Sequence, residues 1–152
     1  KYANRRSIEV VDSKIMSSDN SFKEIFPVTE KIGICFTFKV NEPCNDIFIK
    51  VKLCSSANVH IFDSLDMKGS KIFNQVGISQ RTVWIDKNML NEDTYDVSLN
   101  LISPPYKNPK IHLIFNNIVR FETAFLKNKK SVKGEFKDNG GGVIAPELLW
   151  TD

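Results

Sequence analysis

In the run "KIGICFTFKV" (Lys31 to Val40) every second residue is apolar: Ile32, Ile34, Phe36, Phe38 and Val40. Successive strand side chains point to opposite faces, so this period predicts a strand with one dry side. The pattern recurs along the chain. "SIEVVDSKIM" (Ser7 to Met16) predicts a first strand, and a polar break, "SSDNS", follows it. "DIFIKVKLC" (Asp46 to Cys54) turns Ile47, Ile49, Val51 and Leu53 inward, leaving Phe48, Lys50 and Lys52 outside. The intervening "NEPCN" reads as a turn, because Pro43 has no N–H for a central ladder. "NVHIFDSLD" (Asn58 to Asp66) places Val59 and Ile61 inward and His60, Phe62 and Ser64 outward. "RTVWID" (Arg81 to Asp86) offers Val83 and Ile85 to the core and Trp84 to the other side.

The clearest case is "MLNEDTYDVSLNL" (Met89 to Leu101). A polar corner, Asn91-Glu92-Asp93, opens directly into Tyr95, Val97, Leu99 and Leu101 on one face and Thr94, Asp96, Ser98 and Asn100 on the other. A one-residue slip would bury the polar set, at roughly 1–3 kcal/mol for each unpaired group. The corner therefore predicts a pinned register. After a Pro-rich loop, "SPPYKNP" (Ser103 to Pro109), "NIVRFETAF" (Asn117 to Phe125) sets Val119, Phe121 and Thr123 against Ile118, Arg120 and Glu122. Seven or eight short strands, with turn signals about every ten residues and no long helical period, predict an all-β fold. The expected architecture is an antiparallel β-sandwich, immunoglobulin-like or jelly-roll-like.

Composition narrows the picture. At 152 residues, 41% of them apolar, the chain reads as a single domain over 1–152 with a core of its own. The net charge of +3 is too small to argue for nucleic acid, and the basic run "KNKK" (Lys127 to Lys130) reads as a solvated loop. Cys35, Cys44 and Cys54 have no CxxC or Cys/His spacing, which fits a reducing compartment and predicts no metal site. No apolar run approaches about 18 residues, so no membrane-spanning helix is expected. Only His60 and His112 are available to a nucleophilic triad, there is no G-x-S-x-G elbow, and "GGG" (Gly140 to Gly142) lacks the Lys-Ser/Thr of a phosphate cradle. The expectation is a non-catalytic domain without a cofactor. A converging pair of carboxylates on a sandwich scaffold is the alternative that would make it a hydrolase.

The tail has its own logic. "KDNGGG" reads as a hinge (138–142), and the apolar "VIAPELLW" (143–150) as a terminal strand that must pack on its own sandwich or on a partner's.

Four stretches carry a resemblance to a known family. "LNEDTYDVSLNL" is similar to a pattern of leucine, two variable positions, Gly-Thr-Tyr and alternating Val/Ser/Leu. "VRFETAF" resembles its next strand, and "GGVIAPELLW" its terminal Gly-Val-x-x-Pro-x-x-x-Trp signature. The opening "SIEVVDSKIMSSDNSFKEIFPVTEKIGICFTFKV" resembles its first strand, polar break and long second strand. The family is the carbohydrate-binding C-terminal domain of Wzt-type subunits, the ATP-binding subunits of bacterial polysaccharide ABC transporters. Asp93 stands where that family carries Gly, and Asp is among the few other residues that tolerate a positive φ.

The resemblance implies a piece of a longer protein with an N-terminal nucleotide-binding domain, which would contact the transporter's transmembrane subunit. It implies a cytoplasmic location at the inner face of the inner membrane. The glycan partner would be a polysaccharide such as O antigen of lipopolysaccharide, met at its modified non-reducing end. It also implies a homodimer exchanging the terminal strand. Saccharides present hydroxyls beside flat C–H patches, so a site needs amides, carboxylates or guanidinium groups next to an aromatic ring. On the expected outer faces, Asp96, Ser98, Asn100, Arg120, Lys50 and Lys52 supply the first kind of group, and His60 and Phe62 the rim. A sandwich serving only dimerisation or protein docking is the competing reading.

Overall fold

The inner alternation of the sequence becomes the interior of a sandwich. The computed structural model describes residues 3–104, 106, 108–125, 144 and 148–151. Eight strands form: β1 (Ile8–Met16), β2 (Ile25–Pro27), β3 (Ile32–Val40), β4 (Phe48–Ser55), β5 (His60–Asp66), β6 (Gly77–Ile85), β7 (Asp93–Ile102) and β8 (Ile111–Ala124). A three-stranded sheet has the order β1-β3-β6, and a five-stranded sheet the order β2-β8-β7-β4-β5. Every pairing is antiparallel except the short parallel one between β2 and β8. The fold is thus the expected all-β sandwich, with one parallel edge strand that no alternation announces.

The dry faces meet as their pattern requires. Ile32, Ile34, Phe36, Phe38 and Val40 from one sheet are buried against Val51, Leu53, Tyr95, Val97, Leu99 and Leu101 from the other. Removing such side chains from water supplies roughly 1.5–3 kcal/mol each, the dominant favourable term in a fold of this kind. A six-residue 3-10 helix, Gly69–Asn74, plugs one end by setting Phe73 edge-on against Phe38 at 5.2 Å. At the open side, Arg81 on β6 grips Asp66 on β5 with Nε–Oδ2 2.6 Å and Nη2–Oδ1 2.9 Å, tying the two sheets together at their edges.

The corner before β7 is held by buried hydrogen bonds. The Tyr95 hydroxyl donates to the Asn91 carbonyl at 2.7 Å, and the Thr123 hydroxyl on β8 donates to the same oxygen at 2.6 Å. The Asp93 N–H donates back to Thr123 Oγ1 at 3.1 Å. A tyrosine reaching back to a carbonyl a few residues upstream is a recurrent corner device of sandwiches. Its ring also stacks on Phe121, 5.4 Å between centroids. The positive φ of this region falls at Asn88 (56°), and Asp93 is instead the first residue of the strand. The substitution of Asp for Gly therefore meets no left-handed backbone.

Several expectations need correction. Phe48, placed outside by alternation, is 7% exposed, because the first residue of β4 pairs with the buried end of β7 at Ile102. β6 starts at Gly77 rather than Arg81, and β8 reaches back to Ile111 across a bulge that hides its period. The proposed hinge at 138–142 lies outside the described residues. Of the terminal segment, Ile144 bridges antiparallel to Leu90 of the same chain, and Leu148, Leu149 and Trp150 are exposed.

Burial first, and then the Asp93 carboxylate, push the Tyr95 phenol up to about 12. The folded state thus favours the neutral phenol, and this contribution is present below the ordinary value of 10.0 and lost as pH rises through about 12. Tyr95→Phe is expected to cost about 1–2 kcal/mol in urea unfolding at pH 7. Between pH 10 and 12 the variant should lose less stability than the parent, and an equal loss would place the alkaline weakness elsewhere.

Candidate functional site on the outer sheet faces

Registry decides which of the candidate residues share a surface. On the five-stranded sheet, Lys50 lies opposite Asn100, Lys52 opposite Ser98, and Asp96 opposite Arg120. His60 continues the same face from β5, opposite Cys54. Seven of the eight candidates therefore line one outer face across β8, β7, β4 and β5.

Phe62 is the exception. β5 carries a bulge at Ile61, so that Leu53 pairs with Phe62 while Cys54 pairs with His60. An extra residue inverts the alternation that follows it. Phe62 consequently sits on the core side with Leu53 and packs half-buried against the interior. It does not serve as the ring at the rim. The same inversion turns Asp63 outward beside Lys52 and brings Ser64, which alternation placed outside, to the core side opposite Val51.

Asp63 proves central to the face. Lys50 Nζ lies 3.1 Å from Asp63 Oδ2, and His60 Nε2 2.9 Å from Oδ1. Burial acts to raise its pKa, but the hydrogen bonds and charges of Lys50 and His60 outweigh it and hold the carboxyl below its ordinary value. Two strands away, Arg120 forks onto Asp96 at 2.7 and 3.1 Å. Ser98 Oγ accepts the Asn117 N–H at 3.0 Å. Asn117 (φ 49°) belongs to a bulge that sets 116–118 of β8 opposite Ser98 alone. Asn100 Oδ1 is buried and takes no hydrogen bond from any described residue. Lys52 forms no ion pair among the described residues, so free cationic capture on this face falls to Lys52 while Lys50 and Arg120 are engaged.

The other outer face is built differently. Across the three-stranded sheet the register aligns Trp84, Gly33 and Met16 in one row, Thr82, Cys35 and Lys14 in the next, and Gln80, Thr37 and Asp12 in a third. Trp84, which alternation already assigned to the outside, lies directly over Gly33: a Cβ there would come within 2.7 Å of Cζ3 and 2.8 Å of Cη2. Glycine inside a strand commonly marks such a close approach. Phe22, from the loop after β1, pairs with Met16 and lies on the same face, with Lys14 Nζ 4.6 Å from its ring centroid. No repeating pattern points to Phe22, because it comes from the polar break rather than from a strand.

Among the described residues, no three His, Cys, Asp or Glu side chains converge as a metal cage, and no helix is long and apolar enough to cross a membrane.

No family model and no curated protein matches this chain. Among solved structures, the C-terminal domain of Wzt is similar, with a TM-score of 0.72 over 100% of this chain and 87% of that one, at 8% identity. The chain has the fold of that domain, as the sequence resemblance implied.

The inward placement of Phe62 has a direct consequence. Phe62→Ala is expected to lower unfolding stability by about 1–3 kcal/mol, the range for emptying a half-buried aromatic site. Binding of any ligand on the outer faces should survive in the folded fraction. A variant of unchanged stability would return Phe62 to the surface.

Proposed function

We propose that this domain is a non-catalytic glycan-recognition module of a bacterial polysaccharide exporter. The observation that carries the reading is the five-stranded outer face, where Lys50, Lys52, His60, Asp96, Ser98, Asn100 and Arg120 stand side by side on four adjacent strands. An open sheet of amide, hydroxyl, carboxylate and guanidinium groups suits a hydroxyl-rich polymer. The likeness to the Wzt C-terminal domain supports the same context. In that context the ligand is the modified non-reducing end of a polysaccharide such as O antigen. The domain then works in the cytoplasm, at the inner face of the inner membrane, carried by a nucleotide-binding domain that contacts the transmembrane subunit.

The carboxylates argue against hydrolysis. Asp63 and Asp96 are separated by β4, hence by about 10 Å at the usual strand spacing, on an open face rather than across a cleft. A general acid needs a raised pKa, and that of Asp63 is lowered.

The terminal segment supports a dimer. Leu148, Leu149 and Trp150 are 67%, 91% and 91% exposed, a run of apolar surface that a second copy can cover by exchanging this segment. Dimerisation without glycan binding is the second reading, and it rests on the same residues. Two sites in one dimer raise the apparent affinity for a polymer through effective concentration.

Calorimetric titration with polysaccharide released by mild acid from the source cells tests the reading. Binding is expected near 100 μM per site, equivalent to about 5–6 kcal/mol, and removal of the polymer's end group should weaken it. Lys52→Ala with Arg120→Ala should weaken it about threefold or more. Heatless titrations with both the intact and the trimmed polymer would leave dimerisation as the function.

A further inference from the structure

The three-stranded outer face combines features that a merely solvated face does not need. Its middle is low: Gly33, Cys35 and Thr37 run down the centre of β3 in this register. Its end is walled by rings, with Trp84 43% and Phe22 63% exposed on a surface otherwise free to be polar. The six-membered ring of the Trp84 indole lies close against Gly33, and the side chain keeps part of its surface exposed. Gln80 Nε2 donates to Thr37 Oγ1 at 3.1 Å, which ties down the amide nitrogen and leaves its oxygen able to accept. Beside Trp84, and not lined by it, a trough bounded by Asp12, Lys14, Phe22, Thr37, Gln80 and Thr82 encloses about 410 Å³. That falls within the range of about 300–1,000 Å³ typical of small-molecule sites.

Charge selects the ligand class. The two charged side chains of the trough, Asp12 and Lys14, lie 3.1 Å apart and neutralise one another. A neutral trough with an aromatic plate and pre-set amide and hydroxyl groups has no purchase on a phosphate or a nucleic acid. It fits a ring with an apolar C–H face and a rim of hydroxyls. We propose that the outer face of the three-stranded sheet is a second saccharide site, which stacks one uncharged pyranose of a chain on Trp84 and reads the hydroxyls of the units that follow, about 13 Å along the strand, through Gln80, Thr37 and Asp12. This rests on the glycan-recognition reading and extends it: a short run of neutral sugar units is held here, on the side of the sandwich opposite the ion-paired face.

Glycine at position 33 is then part of the site. A methyl group there must lift the indole from the sheet, so Gly33→Ala tilts the plate without removing it.

The test uses the whole chain, 15N-labelled, titrated with the polysaccharide released from the source cells. The indole N–H resonance of Trp84, assigned by its loss in Trp84→Phe, is expected to shift on titration and to keep shifting in the Lys52→Ala/Arg120→Ala variant. The Trp150 indole serves as the internal reference. Gln80→Ala, an exposed position whose loss leaves the core intact, should weaken the Trp84 titration about tenfold, and Trp84→Ala should weaken overall binding by a similar factor. The midpoint should change less than about twofold between about 50 and 500 mM salt, because no net charge is engaged. Calorimetric binding with an unmoved Trp84 resonance, or a shift unaffected by Gln80→Ala, would overturn the trough and leave glycan recognition standing on the other face. No binding by either readout would remove both.

Discussion

One buried carbonyl fixes the five-stranded sheet. The oxygen of Asn91 receives hydroxyls from Tyr95, four residues on, and from Thr123 on the neighbouring strand. The first bond sets where β7 begins, and the second sets how β8 lies beside it. Because side chains alternate with a period of two, these two choices determine the face of every later residue until a bulge intervenes. Asp96 meets Arg120 as a consequence of that starting point, and the pairing of β7 with β4 brings Ser98 to Lys52 and Asn100 to Lys50 on the same face. The paired hydroxyls also satisfy a carbonyl that would otherwise be costly to bury, so the corner is both a local turn and a long-range clamp.

Bulges then shape what the register alone would make regular. The bulge at Ile61 rotates the end of β5, hiding Phe62 and exposing Asp63 between Lys50 and His60. The bulge at 116–118 breaks the ladder opposite Ser98 and gives its hydroxyl a backbone donor in Asn117. Both irregularities lie along the face that carries the candidate residues. The first of them gives Lys50 a carboxylate partner in Asp63, beside the Arg120–Asp96 pair that the register alone supplies.

This division also explains what could be read from the chain itself. β3, β4 and β7 were legible because each buries one whole face, and burial imposes an unbroken period on the residue types. Seven candidate residues came together for the same reason. Phe62 and Ser64 are misassigned by alternation because one extra backbone residue leaves no compositional mark, and Phe48 because a strand's first residue answers to its neighbours more than to its parity. β2, three residues long and parallel to β8, is too short to show a period at all. Phe22 belongs to a loop, and only the bridge to Met16 brings it onto the sheet. The importance of Gly33 was equally hidden, since its role exists only once Trp84 lies across it.

The two outer faces consequently differ in what a ligand must displace. On the five-stranded face an incoming hydroxyl would have to compete with charge-assisted hydrogen bonds already made, exchanging one good contact for another at modest gain. On the three-stranded face the plate of Trp84 has water on its open side, and covering it removes apolar surface without breaking any polar bond. On the proposed glycan reading, a polymer that presents both flat C–H faces and hydroxyl edges would use the second kind of surface for grip and the first for discrimination. The sandwich is suited to that division because its alternation isolates the two outer faces from one another, so each can be adjusted without disturbing the core between them.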